Sequence, residues 1–155
     1  MSFSISYRRV PLEYPYDDGH TAAARGEIVL GDFREGFLSN LGEWRQADYR
    51  EQWRRSIHRL LAGEQKAVLI TTFSSPTIAT HLEWWALYRE EDNVAVQNQL
   101  LFYDNIQGEF DVKCAVDFLN ERRRVTEDGR PISEWSVSMN DLRVFASHLD
   151  KGMDY

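Results

Sequence analysis

The four histidines and the single cysteine are the side chains of this sequence that could act as general bases, metal ligands or nucleophiles. They are His20, His58, His81, His148 and Cys114. No two histidines have the H-x-x-x-H or H-E-x-x-H spacing that places two imidazoles on one helical face around a zinc ion. His58 and His148 fall within predicted helices, where structural roles are usual. We therefore assign the histidines structural or surface roles, and we expect the Cys114 thiol to be inert.

Carboxylates are abundant, with 25 aspartates and glutamates, but their positions do not favour acid–base catalysis. The clusters at 17–18 and 90–92 lie in predicted turns, where solvated carboxylates keep ordinary pKa values. The glycines are spaced too widely for a dinucleotide-binding fingerprint, and no GK[ST] phosphate loop occurs. The sequence therefore predicts no catalytic residue, no bound metal ion and no cofactor.

The segment Trp84–Tyr103, WWALYREEDNVAVQNQLLFY, predicts one long β-hairpin. Apolar and polar side chains alternate along its arms with the period of two that marks a sheet with one face more buried than the other. Between the arms lies the acidic turn Glu90–Asn93. The hairpin thus combines aromatic side chains on its arms with negative charge at its turn, which are features of a surface that binds a basic protein.

Two helices follow from periodicity and capping residues. Residues Asp48–Leu61 have an apolar stripe of period 3.6, with Asp48 as the expected N-cap, Glu51 as its capping-box partner and Gly63 as the stop. Ser138 is the expected cap of a last helix, with an acidic residue three positions later.

The remaining regular segments predict strands joined by tight turns. Ala67–Phe73 is nearly apolar, which indicates a central strand covered on both faces. We expect a bulge or bend at Gly31, and a tight turn at Asp128-Gly129. The strands outside the first hairpin are predicted at Phe3–Tyr7, Glu27–Leu30, Ala67–Phe73 and in a second hairpin within Arg122–Ser138. The order of elements predicts an α+β fold, as a single domain over residues 1–155, mainly antiparallel β-sheet with two principal helices packed against it.

Composition limits the partners. The net charge of −7 and the pI of about 5.1 oppose nucleic-acid binding and favour basic partners. The run Arg122–Arg124 alternates between two strand faces and is flanked by acids, which indicates a solvated edge with local ion pairs. No apolar run of membrane-spanning length and no signal-peptide pattern occur, and one cysteine fits a reducing compartment. We therefore expect a cytoplasmic protein with no nucleic acid and no membrane as partner.

Four segments also share an overall pattern with a known family. They are GEIVLGDFREGFLSNLGEW (Gly26–Trp44), QWRRSIHRLLAG (Gln52–Gly63), WWALYREEDNVAVQNQLLFYDN (Trp84–Asn105) and VTEDGRPISEWSVSMNDL (Val125–Leu142). Together they resemble the CdiI-type immunity proteins of bacterial contact-dependent growth inhibition systems. The resemblance implies a small cytoplasmic protein that binds the toxin domain of a contact-delivered effector and blocks it.

The first hypothesis is therefore an immunity protein that neutralises the cognate C-terminal toxin domain, a nuclease, by non-covalent protein–protein binding and without catalysis. Enzymes that bind nucleic acid tend to be basic, so an acidic inhibitor would be steered toward such a toxin. The free protein is expected to be a monomer or a weak dimer. The predicted toxin-binding residues are Glu90, Glu91, Asp92, Asp104, Glu109 and Asp111.

Two alternatives stay open at this point. One is a small hydrolase that uses a carboxylate and a histidine, which a deep pocket with two convergent titratable groups would favour. The other is a homodimeric structural module, in which exposed aromatic side chains of one hairpin form a self-complementary patch.

Overall fold

A computed structural model describes residues 2–152, which form two antiparallel β-sheets and two α-helices. The predicted α+β class is confirmed, but the strands divide between two sheets. The first sheet contains β1 (Phe3–Tyr7), β2 (Ala23–Leu30) and β3 (Phe33–Asn40). The second contains β4 (Lys66–Thr72), β5 (His81–Glu90), β6 (Asn93–Phe102) and β7 (Trp135–Ser138). The helices are α1 (Gln46–Leu61) and α2 (Met139–Asp150).

The first sheet has the order β1-β2-β3, and β3 was not predicted. Gly31 adopts a φ of 66°, and Leu30 pairs with Phe33, so the expected bend is a tight turn that joins two strands. Gly26 is required because the Phe37 ring lies 2.3 Å from the place where a Cβ would stand. The Phe37 side chain therefore packs directly over the backbone of β2.

The second sheet has the order β4-β5-β6-β7 and contains the predicted first hairpin, with arms of ten residues each. The predicted central strand β4 is an edge strand instead. Its edge is covered by α1, because the Gln52 amide donates to the Val68 carbonyl and accepts the Ile70 N–H, both at 2.9 Å. The Trp53 indole also donates to the Ile70 carbonyl at 2.7 Å. This cover explains why an edge strand has the apolar composition of a central one.

The predicted second hairpin is wrong over most of its length, because only its last four residues form a strand, β7. The turn at Gly129 is present, with a φ of 82° and a single bridge between Val125 and Pro131. Proline lacks the N–H that a ladder needs, so pairing does not extend from this bridge. Residues 120–134 lie across the second sheet without strand structure.

Both helices are present, but the capping of α1 differs from the prediction. Asp48 is the third residue of the helix, where its carboxylate accepts the Arg45 backbone N–H at 2.8 Å. Glu51 is therefore no capping partner. In α2 the predicted cap at Ser138 is confirmed and forms a capping box, since Ser138 Oγ accepts the Asp141 N–H at 2.9 Å and the Asp141 carboxylate accepts the Ser138 N–H at 3.2 Å.

The core lies between the two sheets and the two helices, and a hydroxyl relay crosses it. Tyr7 donates to Ser39 at 2.8 Å, and Ser39 donates in turn to the Thr71 carbonyl on the second sheet. Burial raises the pKa of Tyr7, so the phenol stays a donor. The largest fully buried side chains include Trp53, Trp84, Trp85, Tyr49 and Phe145. None of the described helices is long and apolar enough to cross a membrane.

Candidate functional site

The β5–β6 hairpin separates the six predicted interface carboxylates into two groups. Glu90, Glu91 and Asp92 lie at its turn, whereas Asp104, Glu109 and Asp111 follow the other end of β6. Arms of ten residues, at about 3.3 Å per residue, place the two groups about 30 Å apart. The six predicted residues therefore do not form one continuous patch. We name the two regions the turn end (Glu90–Asn93) and the open end (His81–Glu83 with Asn98–Asp111).

Intramolecular contacts hold the turn end. The Arg122 guanidinium forms an ion pair with Glu90 and a bidentate pair with Glu134. The Asp92 carbonyl accepts the backbone N–H of Met139, the first residue of α2, at 2.8 Å. One of the three acidic side chains of the turn is therefore neutralised, and the backbone of the turn is fixed.

A polar cluster extends from Arg122 across the covered face of the second sheet. Gln97, which is 1% exposed, donates to the Glu134 carboxylate at 2.7 Å and to the Arg123 carbonyl at 2.9 Å. The Arg122 side chain, together with the Gln97 amide, holds the pKa of Glu134 below its ordinary value. The expected local ion pairs of the arginine run are confirmed for Arg122, although its side chain is only 19% exposed and anchors a loop.

At the open end, β6 continues beyond the strand that covers it. β7 pairs only with Asn93–Val96, and no strand of the described chain pairs with the outer edge of the following residues. The Asp92 carbonyl points to the β7 side and the Tyr103 N–H points to Thr80 on the β5 side. Backbone groups alternate along a strand, so those of even-numbered β6 residues point outward.

At the open end, the residues whose backbone N–H and C=O groups point outward are Asn98, Leu100 and Phe102. Their side chains share one face, as the alternation predicted, and Leu100 and Phe102 remain 48% and 43% exposed. The Phe102 ring lies against His81, with ring centroids 5.2 Å apart. Apart from the Phe102 C=O, which begins the 3₁₀ turn Tyr103–Asn105, the backbone N–H and C=O groups of these three residues have no hydrogen-bond partner elsewhere in residues 2–152.

The negative charge of the open end is largely uncompensated. Asp104 and Glu109 are exposed and form no ion pair within the described chain, whereas the Asp111 carboxylate accepts the Lys113 N–H at 2.9 Å. Glu83 lies opposite Leu100 on β5, and desolvation and then the charge of Glu83 raise the pKa of Glu35. The open end therefore presents acidic groups that lack a cation.

A groove of about 770 Å³ runs between α1 and the 3₁₀ segment Val112–Phe118, with part of β4 as its floor. His58 lies at its rim, with Nε2 2.9 Å from the Asp150 carboxylate. The side chains of His58 and Asp150 are 41% and 42% exposed. Desolvation, followed by the nearby Asp111, raises the pKa of the Cys114 thiol. The groove thus contains a solvated His58–Asp150 contact and a thiol whose pKa is raised, and residues 2–152 contain no cluster of three metal-ligating side chains.

The comparisons with known proteins identify the family. Residues 39–145, more than half of the chain, match the CdiI N-terminal domain. The chain belongs to the CdiI family of immunity proteins. The immunity protein CdiI of Enterobacter cloacae subsp. cloacae is 27% identical over 141 residues, which cover 87% of this chain and 97% of that protein.

A solved structure agrees over nearly the whole fold. This chain is similar to a chain of the CdiA-CT/CdiI toxin and immunity complex from Enterobacter cloacae, with a TM-score of 0.85 and 26% identity. The match covers 96% of this chain and 99% of that chain. The resemblance to immunity proteins of contact-dependent growth inhibition is therefore confirmed, and the structural match extends beyond the segments between Gly26 and Leu142 that indicated it.

Sequence reasoning missed the open edge of β6 and the neutralisation of Glu90. The edge depends on β7 being only four residues long beside a ten-residue strand, and β7 lies 33 positions further along the chain. The ion pair joins Glu90 to Arg122 across a similar separation. The alternating exposed row of Asn98, Leu100 and Phe102 was visible as a pattern, but its missing partner strand was not.

Proposed function

We propose that this chain neutralises the C-terminal toxin domain of its cognate contact-dependent growth inhibition effector by non-covalent binding. The observation that carries the proposal is the structural match to a chain of the toxin and immunity complex. The match spans nearly all of this chain and nearly all of that one. The family assignment by sequence supports the same role.

We infer further that the toxin is a basic protein, and specifically a nuclease. The support is electrostatic, because a chain of net charge −7 attracts a basic partner and is repelled by nucleic acid. Complementary charge of this kind raises the association rate more than it raises the affinity. Binding would take place in the cytoplasm, where the free immunity protein is a monomer or a weak dimer.

The six acidic residues predicted to bind the toxin are retained as candidates, with a preference between the two groups. Asp104 and Glu109 at the open end are exposed and form no ion pair within residues 2–152, whereas Glu90 at the turn end is paired with Arg122. A charge that is already paired contributes less to the steering of a partner. We therefore favour the open end as the centre of the interface, with the turn end at its margin.

Direct binding is favoured over catalysis by the chemistry of the groove. The His58–Asp150 pair is solvated, and a raised pKa leaves the Cys114 thiol protonated at neutral pH. A nucleophile or general base would require the opposite arrangement, with a buried base beside an activated thiol or water. The homodimeric module is less favoured because two chains of −7 repel each other.

Co-expression tests the proposal. The C-terminal toxin domain of the cognate effector should arrest growth when expressed alone, and growth should be restored when this chain is expressed with it. A titration of the purified toxin activity should reach complete inhibition at a 1:1 ratio, because a binding inhibitor acts stoichiometrically. Enterobacter cloacae CdiI is the matched control of the same fold. Continued arrest, or inactivation of toxin by a small molar fraction of this chain, would contradict the proposal.

A further inference from the structure

We propose that the outer edge of β6 at Asn98–Phe102 pairs with an extended segment of the toxin domain, which adds a strand to the second sheet. The inference rests on the proposed function and names the place and mode of binding. Strand addition of this kind uses backbone hydrogen bonds for affinity and alternate side chains for specificity. The geometry, the side chains and the charges of the edge each support it.

The geometry provides a ladder of suitable length. Beyond Val96 the strand β7 has ended, and the N–H and C=O groups of Asn98, Leu100 and Phe102 point away from β5. These five residues span about 17 Å, the length of a typical strand. The strand is already held in an extended conformation by its ladder to β5, so an incoming segment meets a preformed template.

The edge lacks the features that normally prevent pairing between chains. Exposed edges are usually interrupted by lysine, proline or a bulge, or are covered by another element. The residues Asn98–Phe102 contain no charge, no proline and no glycine, and the register to β5 is regular through them. The opposite edge of the same sheet, β4, is covered by Gln52 and Trp53. Only the β6 edge combines exposure with this composition within the described sheet.

The side chains and charges indicate the chemistry of the incoming segment. Leu100 and Phe102 offer two apolar contacts on one face, and the Glu83 carboxylate lies beside them on β5. Glu35 lies close enough to Glu83 for its pKa to be raised, and neither forms an ion pair within residues 2–152. A toxin segment in which apolar residues alternate with arginine or lysine would contact Leu100 and Phe102 and would also place a cation beside the carboxylates of Glu83 and Glu35. A second copy of this chain would instead bring its own acidic residues to the same place.

A proline substitution tests the ladder with a matched control. Leu100→Pro removes the outward N–H and leaves every hydrogen bond between β5 and β6, because the Leu100 N–H points away from β5. Leu100→Thr removes the same leucine side chain but keeps the N–H in a residue that favours strands. We expect Leu100→Pro to weaken binding of the cognate toxin domain about 100-fold, and Leu100→Thr less than about tenfold. Calorimetry with the purified domains gives both values.

An ester linkage in place of the Leu100 amide covers the case in which the proline variant fails to fold. Leucic acid incorporated at position 100 keeps the leucine side chain and replaces the N–H with an oxygen that cannot donate a hydrogen bond. A second measurement uses the unmodified chain. Hydrogen exchange of its backbone amides at 98, 100 and 102 should be fast in the free chain and at least about tenfold slower in the complex.

Unchanged exchange at 98, 100 and 102 in a complex that still inhibits the toxin would overturn the strand pairing and leave the proposed function intact. Failure of the unmodified chain to bind the toxin domain would overturn the proposed function itself. Protection of the three amides in the free chain, rising with its concentration, would show pairing with a second copy and would also overturn the inference.

Discussion

The two ends of the β5–β6 hairpin have the same strands but opposite relations to the rest of the molecule. At the turn end, Glu90 is paired with Arg122, and the Asp92 carbonyl is bonded to the first residue of α2. At the open end, Leu100 and Phe102 are exposed, and their backbone groups have no partner in the described chain apart from the Phe102 carbonyl, which begins the 3₁₀ turn Tyr103–Asn105. The turn end carries the denser acidic sequence, yet Glu90, one of its three acidic side chains, is already paired within the chain. The difference shows that side-chain and backbone groups are available to a partner only where they form no contacts within the chain itself.

The difference arises from the unequal lengths of neighbouring strands. β7 has four residues and β6 has ten, so the last six residues of β6 extend past their cover. The loop that precedes β7 is anchored by the Arg122–Glu134 pair on the opposite face of the sheet. A loop held on that face leaves the outer edge of β6 unoccupied.

Removal of Arg122 should destabilise the molecule most. Arg122→Ala leaves Glu134, whose side chain is 22% exposed, without its cation and releases Glu90, so the free energy of unfolding should fall by about 3 kcal/mol. Arg123→Ala, at a more exposed neighbouring position, is the control and should change it by less than about 0.5 kcal/mol. Urea denaturation measures both. Equal losses for the two variants would show that the turn end is not held by this pair.

Acid should abolish the contribution of Glu134. Its folded pKa lies below the ordinary value of 4.5, so the stabilisation is present above that value and is lost as pH falls through the folded pKa. Glu134→Gln should cost about 2 kcal/mol at pH 7, and the difference from wild type should shrink toward pH 3. Denaturation at both pH values measures this, with the exposed Glu127→Gln as control. A difference that persists at low pH would contradict the assignment.

Neutralising charges should separate the two ends in binding. The double variant Asp104→Asn with Glu109→Gln should slow association with the toxin domain about tenfold at low salt, whereas Glu91→Gln with Asp92→Asn should slow it less than about threefold. Both variants remove two exposed charges and keep side-chain size. Stopped-flow association at several salt concentrations provides the rates. A larger effect at the turn end would indicate that the turn end, and not the open end, is the centre of the interface.

The smallest effect is expected from the backbone of the turn. Glu91 has a φ of 56°, a left-handed conformation that costs a residue with a Cβ. Glu91→Gly should therefore raise the free energy of unfolding by about 0.5–1 kcal/mol, in thermal or urea denaturation. Asp92 has no positive φ, so Asp92→Gly should lower stability instead. Two changes of the same sign would indicate that conformational strain at Glu91 is not what distinguishes these positions.

The sequence predicted those features that depend on short-range patterns. Alternation over Trp84–Tyr103 identified the hairpin, and the spacing of Ser138 and Asp141 identified the cap of α2. Family resemblance was also recognisable from segment patterns. These signals are local, since each depends on residues within about twenty positions of one another.

What could not be predicted depends on contacts between distant segments. β4 has the composition of a central strand because Gln52 covers its edge, and no periodicity within β4 encodes that cover. β3 was missed because its charged and glycine residues hide the alternation that its pairing with β2 imposes. For the site, the six acidic residues were visible, but their division into two groups followed only from the length of the hairpin.

The amide of Gln52 has a consequence for the size of any assembly. It occupies both a donor and an acceptor position on the margin of β4, so a strand joined at β6 finds no second docking place on the far side of the sheet. The second sheet therefore offers one free edge, and a strand added at β6 would not lead to a second addition at β4.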